Sequence, residues 1–434
     1  MTLLSWFQEG LFGGIVGGFQ QNDILAYGYG NRLKMKHNIS GISDIPDKDS
    51  LQAQLLPLFF LTSIFFLNFI IRIIISPLLP TILADMHLTR DQAGSFFLVS
   101  ASGYFISLLC SGFVSSRLQH KRTIVFSAMA TGIAFIATGF CQSLLTMRLG
   151  LFVVGMTSAL YIPSGIAMLT ASISSRNWGK AIGIHEMAPN LGFLLAPIIS
   201  EGLLLWLSWR SVLMVIGGAS ILTGITFLKF SNVVDFPGES PRLKSILPLV
   251  KTPSFWMMMT LFSLGVAGTM GIYSMLPLYL VNEHGMLQSQ ANTLITLSRI
   301  LTLPIALLVG WLSDRFGLKQ TLAAVLLLTG ISTLLIGLLS GWPMTAVIFC
   351  QPVLAVCFFP PAFAALSHIG SKETRNIAVS FTIPFAFLVG GGVVPSVIGI
   401  LGEKGSFSMG FVVVGIFIFF GAVVPFFLKL QENN

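Results

Sequence analysis

Residues Leu55 to Leu79 read LLPLFFLTSIFFLNFIIRIIISPLL, and Arg72 is the only charge among them. A helix needs about 20 mostly apolar residues to cross the roughly 30 Å hydrocarbon core of a bilayer, and this run supplies them. It predicts a membrane-spanning helix with a guanidinium near its middle. Such a charge costs roughly 2.5–3.5 kcal/mol on insertion scales, so it is expected to face other helices or a water-filled cavity and to serve a function.

The run is the first of a series. The chain has 434 residues, 54% of them hydrophobic and 9% charged, with a mean hydropathy of +0.86. That balance excludes a string of soluble domains and predicts a polytopic, all-α membrane protein. Apolar runs predict twelve spans, near 55–79, 93–115, 123–142, 147–170, 180–205, 211–230, 254–278, 291–312, 320–340, 343–367, 377–401 and 409–428. Twelve spans put both termini on one side. If that side is the cytoplasm, eighteen of the 24 Lys and Arg residues lie there, as the positive-inside rule requires. Arg90, Arg148, Arg210 and Lys404 fall outside, and Arg72 and Arg299 fall within the membrane. The net charge of +8 then follows from topology and implies no nucleic-acid partner. A bacterial inner membrane is the expected location, with lipid as the surroundings and a monomer sufficient.

Residues 1–50 read as a polar to mixed cytoplasmic extension without the pattern of a secretory signal, and Met35, ahead of a basic stretch, is an alternative start. Cys110, Cys141, Cys350 and Cys357 form no CxxC or metal-ligand pattern. No nucleophile–base cluster suggests an enzyme, and no G-x-x-x-x-G-K-[ST] loop suggests a nucleotide-driven pump. No cofactor or metal is expected, and the energy source is expected to be an ion or substrate gradient.

The halves of the chain repeat. Gln92 and Gln290, Gly112 and Gly310, and Pro197 and Pro395 are each 198 residues apart, and Pro163 and Pro360 are 197 apart. Six spans per repeat is an even number, so the two are parallel, related by an axis along the membrane normal. The expected division is a six-helix bundle over 51–230, a cytoplasmic linker over 231–253, and a second bundle over 254–434.

This arrangement resembles the major facilitator superfamily over residues 51–430. The specific motif of that family is the loop between the second and third helices of each half, G-x-x-x-D-R-x-G-R-R or close to it. Gly310, Asp314, Arg315, Gly317 and Lys319 match it in the second half. In the first, Gly112, Arg117, Lys121 and Arg122 match, but Ser116 replaces the acid and Gln119 the glycine. The resemblance implies that the loop acid latches the halves together on the cytoplasmic side, a role open to Asp314 and lost at Ser116.

Arg72 lies about 12 Å from Pro80, read as the outer end of the first span, and Arg299 about 16 Å from Gly310 at the inner end of the eighth. Both are therefore near the midplane, where transporters built from repeats bind substrate. Asn68, Arg72 and Ser76 share one helix face, and Asn292, Thr296, Arg299 and Thr302 another. No acid lies at that depth. A planar guanidinium suits bidentate capture of a carboxylate, sulfonate or phosphate, so both arginines are expected to bind the anionic group of a small-molecule substrate. Asn68, Tyr273, Tyr161 and Asn190 are further candidates for that site. His185 and Glu186 are candidates for proton coupling, or else a pair at the cytoplasmic rim.

The stretch Asn68–Arg72 resembles the N-Y-x-D-R of the anion:cation symporter branch, with Ile71 in place of the coupling acid. Arg299 is placed as in monocarboxylate and oxalate–formate carriers, with Ile295 where the former have an acid. The position equivalent to Arg299 is Ala101, unlike the arginine pair of nitrate carriers. The resemblance thus implies a secondary transporter for a small organic anion. Two alternatives stand beside it: a proton-coupled drug or metabolite exporter, which would normally carry a midplane carboxylate, and a non-transporting relative acting as a receptor or assembly partner.

Overall fold

A computed structural model describes residues 51–174, 177–238, 250–305, 315–369 and 372–429. The described chain is helical. Its spans are α1 (Gln54–Met86), α2 (Arg90–Leu118), α3 (His120–Gly139), α4 (Leu144–Ser172), α5 (Trp178–Leu204) and α6 (Trp209–Phe230) in the first half. In the second they are α7 (Pro253–Asn282), α9 (Leu318–Leu338), α10 (Gly341–Ser367), α11 (Ala378–Lys404) and α12 (Phe407–Phe427). These eleven, among the described residues, are long and apolar enough to cross a membrane. The expected eighth span appears as α8 (Gln288–Ile300), and its far end lies partly outside the described residues.

The first span does not end at Pro80. The helix turns at Ile74 and continues through Pro77 and Pro80 to Met86. Pro77 has no N–H for the Ile73 carbonyl, and its ring crowds that carbonyl, which bends a helix without stopping it. Arg72 is now 18 residues from Gln54 and 14 from Met86, so it stays near mid-span. The seventh span also runs on, to Asn282, through a π-helical segment at Ala267–Gly271. A second such segment, Val389–Val393, interrupts α11. The two segments touch: a Cβ at Gly271 would lie 2.6 Å from the Gly390 carbonyl oxygen, and one at Gly390 2.5 Å from the Ala267 nitrogen. Only glycine allows this approach.

The repeat is visible in the contacts. Asp85, at the end of α1, accepts from Trp209 Nε1 (3.1 Å) and pairs with Arg210, holding the start of α6. Glu283, 198 residues on, accepts from the backbone N–H groups of Phe407 and Ser408 (3.1 Å), holding the start of α12. A carboxylate at a helix N-terminus meets unpaired N–H groups and the positive end of the dipole.

The halves meet on the face the charge distribution predicts to be outside. Arg90 of α2 donates from its backbone N–H to Glu403 (2.9 Å) and from Nη1 to the Gly402 carbonyl (2.9 Å). Asn292 of α8 donates to Glu201 of α5 (2.6 Å) and to the Pro77 carbonyl (3.1 Å). Thr81 of α1 donates to Gln288 of α8 (2.7 Å).

On the opposite face, Gly317 opens α9 with φ 85°, ψ 151°, and Gln119, its equivalent, opens α3 with φ 70°, ψ 161°. The first loop therefore keeps the backbone shape of the motif without its glycine. This region of φ/ψ space belongs essentially to glycine. Residues 231–238 brace the strained turn: Gly238 N–H donates to the Ser115 carbonyl (3.0 Å) and His120 N–H to the Phe236 carbonyl (2.9 Å). Asp235 accepts from the Lys121 N–H (2.7 Å) and lies 4.0 Å from the Arg122 guanidinium. The acid absent at Ser116 is thus met by one from the linker. Replacing Gln119 by glycine is expected to stabilise the protein by about 1 kcal/mol, the strain released less the added chain entropy. A rise in apparent melting temperature in detergent is the check, and a fall would contradict it. Arg117 is exposed in the last turn of α2, and Arg315 lies 5.9 Å from the Phe316 ring centroid. Gly310 and Asp314 lie outside the described residues.

Candidate functional site

The Asn68–Arg72–Ser76 face of α1 divides its work. Asn68 donates to the Ser158 carbonyl of α4 (3.0 Å), and Ser76 donates across the halves to the Tyr273 carbonyl (2.8 Å). Arg72 lies between them, 8% exposed. Its guanidinium carbon is 3.9 Å from the Tyr104 ring centroid and 4.9 Å from that of Phe387. It faces a cavity of about 20 Å³, lined also by Ala101, Met270 and Gly391 and large enough for about one water molecule.

Arg299 of α8 is 4% exposed. Its guanidinium carbon is 4.7 Å from the Phe193 centroid and 5.1 Å from that of Tyr273. Its Nε has no hydrogen-bond partner, and neither has the Tyr273 hydroxyl or Thr296 Oγ1. The Tyr104 hydroxyl beside Arg72 has no partner of good geometry either. Among the described residues the ion pairs are Arg122–Asp235, His185–Glu186 and Arg210–Asp85, so neither buried arginine meets a carboxylate within 4.0 Å.

Cation–π contacts return about 2 kcal/mol when desolvated, while burying an ion costs several kcal/mol. The ring contacts therefore leave each charge undercompensated. Most buried polar atoms in native proteins find a partner, so orphans gathered around two cations call for a reason.

The 198-residue offset shows where these groups lie. Arg72 corresponds to Met270, Ala101 to Arg299, and Phe193 to Gly391. Met270, Ala101 and Gly391 all line the Arg72 cavity, and Phe193 carries Arg299. Both arginines thus belong to positions that converge between the halves. In each related pair one residue is large or charged and the other smaller or uncharged.

Tyr273 lies beside Arg299. Tyr161 and Asn190 do not. Tyr161 donates to the Leu61 carbonyl (2.6 Å) and lies 3.0 Å from His185 Nε2. Asn190 Nδ2 lies 3.4 Å from the Glu186 carbonyl. Both therefore belong with the proton-coupling candidates. His185 is fully buried and stacked on Phe65, with centroids 4.4 Å apart. With the Tyr161 proton engaged by Leu61, Nε2 must be the N–H that donates to Tyr161. His185 Nδ1 lies 3.3 Å from Glu186 Oε1.

Three participants escape the sequence pattern. Tyr104, Phe193 and Phe387 carry no charge to mark them, although Ser100 and Ser107 flank Tyr104 at helical spacing. Glu201, near the end of α5, reaches the polar stripe of α8 through Asn292.

The sequence profile of the Major Facilitator Superfamily matches residues 61–291 and 279–433, which cover most of the chain. The chain belongs to that superfamily, whose members are transporters and not enzymes. A protein of Cupriavidus necator described as "Probable sulfoacetate transporter SauU" is 26% identical over 179 residues, 41% of each chain. The multidrug efflux protein YfmO of Bacillus subtilis is 23% identical over 81% of this chain and 87% of its own. Among solved structures, a bacterial homologue of the human lysosomal transporter Spinster superimposes with a TM-score of 0.72 at 17% identity. That match covers 87% of this chain and 97% of the homologue, and it shows the fold.

Proposed function

We propose that this protein is a secondary transporter for a small organic anion, held near the midplane by Arg72 and Arg299. The observation that carries the reading is the pair of buried guanidiniums, one from each half, each supported by aromatic rings and neither by a carboxylate. A bound carboxylate or sulfonate supplies the missing counter-charge and accepts the orphaned Arg299 Nε–H and the tyrosine hydroxyls. The sulfoacetate-related protein is consistent with that chemistry.

In this reading residues 51–230 and 254–434 are two bundles that rock about the site, joined by the 231–253 linker. Both termini are cytoplasmic, in a bacterial inner membrane. The state described is closed on the outer face by Arg90–Glu403 and Asn292–Glu201. His185 and Glu186, in contact at 3.3 Å, are the candidates for coupling transport to a proton gradient. The efflux-pump relative favours an exporter of cationic drugs instead, but a cation would meet two positive charges in this site.

Counterflow in proteoliposomes tests the proposal. Vesicles loaded with an unlabelled carboxylate mixture are expected to accumulate radiolabelled succinate or acetate with the wild-type protein and not with Arg72→Gln. Accumulation of a labelled lipophilic cation, and of no anion, would replace the proposal with the exporter.

A further inference from the structure

We infer that the substrate carries two anionic groups, one for each of two arginine–tyrosine dyads. The inference rests on the anion reading above and deepens it. The first dyad is Arg72 with Tyr104, both from the first half and 3.9 Å apart from guanidinium carbon to ring centroid. The second is Arg299 with Tyr273, both from the second half, at 5.1 Å. All four side chains are more than nine-tenths buried. Neither tyrosine hydroxyl has a hydrogen-bond partner of good geometry, although Tyr161 and Tyr279, buried elsewhere in the bundles, donate to the carbonyls of Leu61 and Ile336. A buried phenol is normally placed with a partner. Two that are not, each beside a guanidinium that meets no carboxylate, mark two places prepared for oxygen acceptors.

The dyads are separate. A chain of ring contacts links them: Phe69, whose centroid is 5.9 Å from the Arg72 guanidinium carbon, and Phe193, 4.7 Å from that of Arg299. The two rings meet edge to face with centroids 5.0 Å apart. On this reading one carboxylate cannot meet both guanidiniums across the ring pair. A molecule with an anionic group at each end of a short apolar body can, its body lying along Phe69 and Phe193. Closure then has a simple logic: each end recruits the arginine of one half, so only a dianion draws both halves onto itself. A monoanion leaves one buried guanidinium uncompensated, at the cost attached to any lone buried charge.

The test compares straight-chain α,ω-dicarboxylates, from malonate to suberate, with monocarboxylates of equal length. Binding to the purified wild-type protein is read by thermal shift, and transport by counterflow. At least one dicarboxylate is expected to bind tenfold or more tighter than its monocarboxylate. Arg72→Gln and Arg299→Gln should each erase that preference, and Tyr104→Phe and Tyr273→Phe, which keep the ring and lose only the hydroxyl, should each narrow it severalfold. If both series bind wild type equally, and both arginines are needed, the two-anion inference fails while the anion transporter stands. If neither series binds and only cations do, both fall. The wild-type comparison needs no variant, so a misfolded mutant cannot shelter the inference.

Discussion

Arg72→Gln and Arg299→Gln are each expected to lower anion affinity about thirtyfold or more while leaving the empty protein as stable as wild type or more so. The two effects share one origin. A guanidinium held against rings and no carboxylate is a buried charge without a counter-ion, and removing it relieves a desolvation penalty that about 2 kcal/mol of cation–π attraction does not offset. Glutamine is shorter but unbranched, polar and a good helix former, so the helix persists. The anion, however, loses a charge-assisted bidentate contact in a low-dielectric site, worth about 2–5 kcal/mol when one partner of a buried pair is truncated. Each 1.4 kcal/mol is a factor of ten. Paired measurements of apparent melting temperature and of ligand affinity check both signs. A variant that is less stable and still binds would make the arginines structural.

Gly399→Leu is expected to abolish transport without unfolding the chain. A Cβ at Gly399 would lie 2.6 Å from the Arg90 carbonyl oxygen, and its other near neighbours are also atoms of Arg90 and Gly94. At Gly94 the nearest atoms are, reciprocally, in Pro395, Ser396 and Gly399. All these neighbours belong to the opposite half. A leucine there meets backbone that cannot give way when the outer face closes, yet within its own half it replaces glycine in a helix, a gain of up to about 1 kcal/mol. The variant should stay open to the outside. In a chain whose four cysteines are changed to serine, Ala101→Cys should become more reactive to an impermeant maleimide when Gly399→Leu is added. Normal transport, or unchanged labelling, would show that the closed outer face is not part of the cycle.

Much of this was legible in the residues, for physical reasons. Hydropathy reports spans because lipid forbids unsatisfied backbone, and the 198-residue offset reports the repeat because equivalent positions do equivalent work, as Asp85 and Glu283 do in holding the starts of α6 and α12. Arg72 and Arg299 announce themselves because a charge in an apolar run is costly. Other parts could not be read that way. Pro80 looked like a helix end because proline usually is one, but the bend at Ile74 absorbs it. Tyr104, Phe193 and Phe387 are ordinary apolar-span residues until helices from opposite halves bring them against a guanidinium. Tyr161 and Asn190 have the right chemistry and depth, yet α4 turns Tyr161 toward His185 and Asn190 bonds back to the Glu186 carbonyl of its own helix. Gln119 hides a glycine-like turn because the linker that braces it is more than a hundred residues away in sequence.

The central claim is that the space between the halves binds an anion through Arg72 and Arg299. A thermal-shift panel on purified wild type, Arg72→Gln and Arg299→Gln tests it most directly, with organic carboxylates and sulfonates, lipophilic cations and neutral sugars as ligands. A ligand at a hundred times its Kd stabilises the folded state by about 2.7 kcal/mol, which such a panel resolves. The account predicts that organic anions raise the melting temperature of the wild type and of neither variant. Stabilisation by cations or sugars alone, equal in all three proteins, would contradict it.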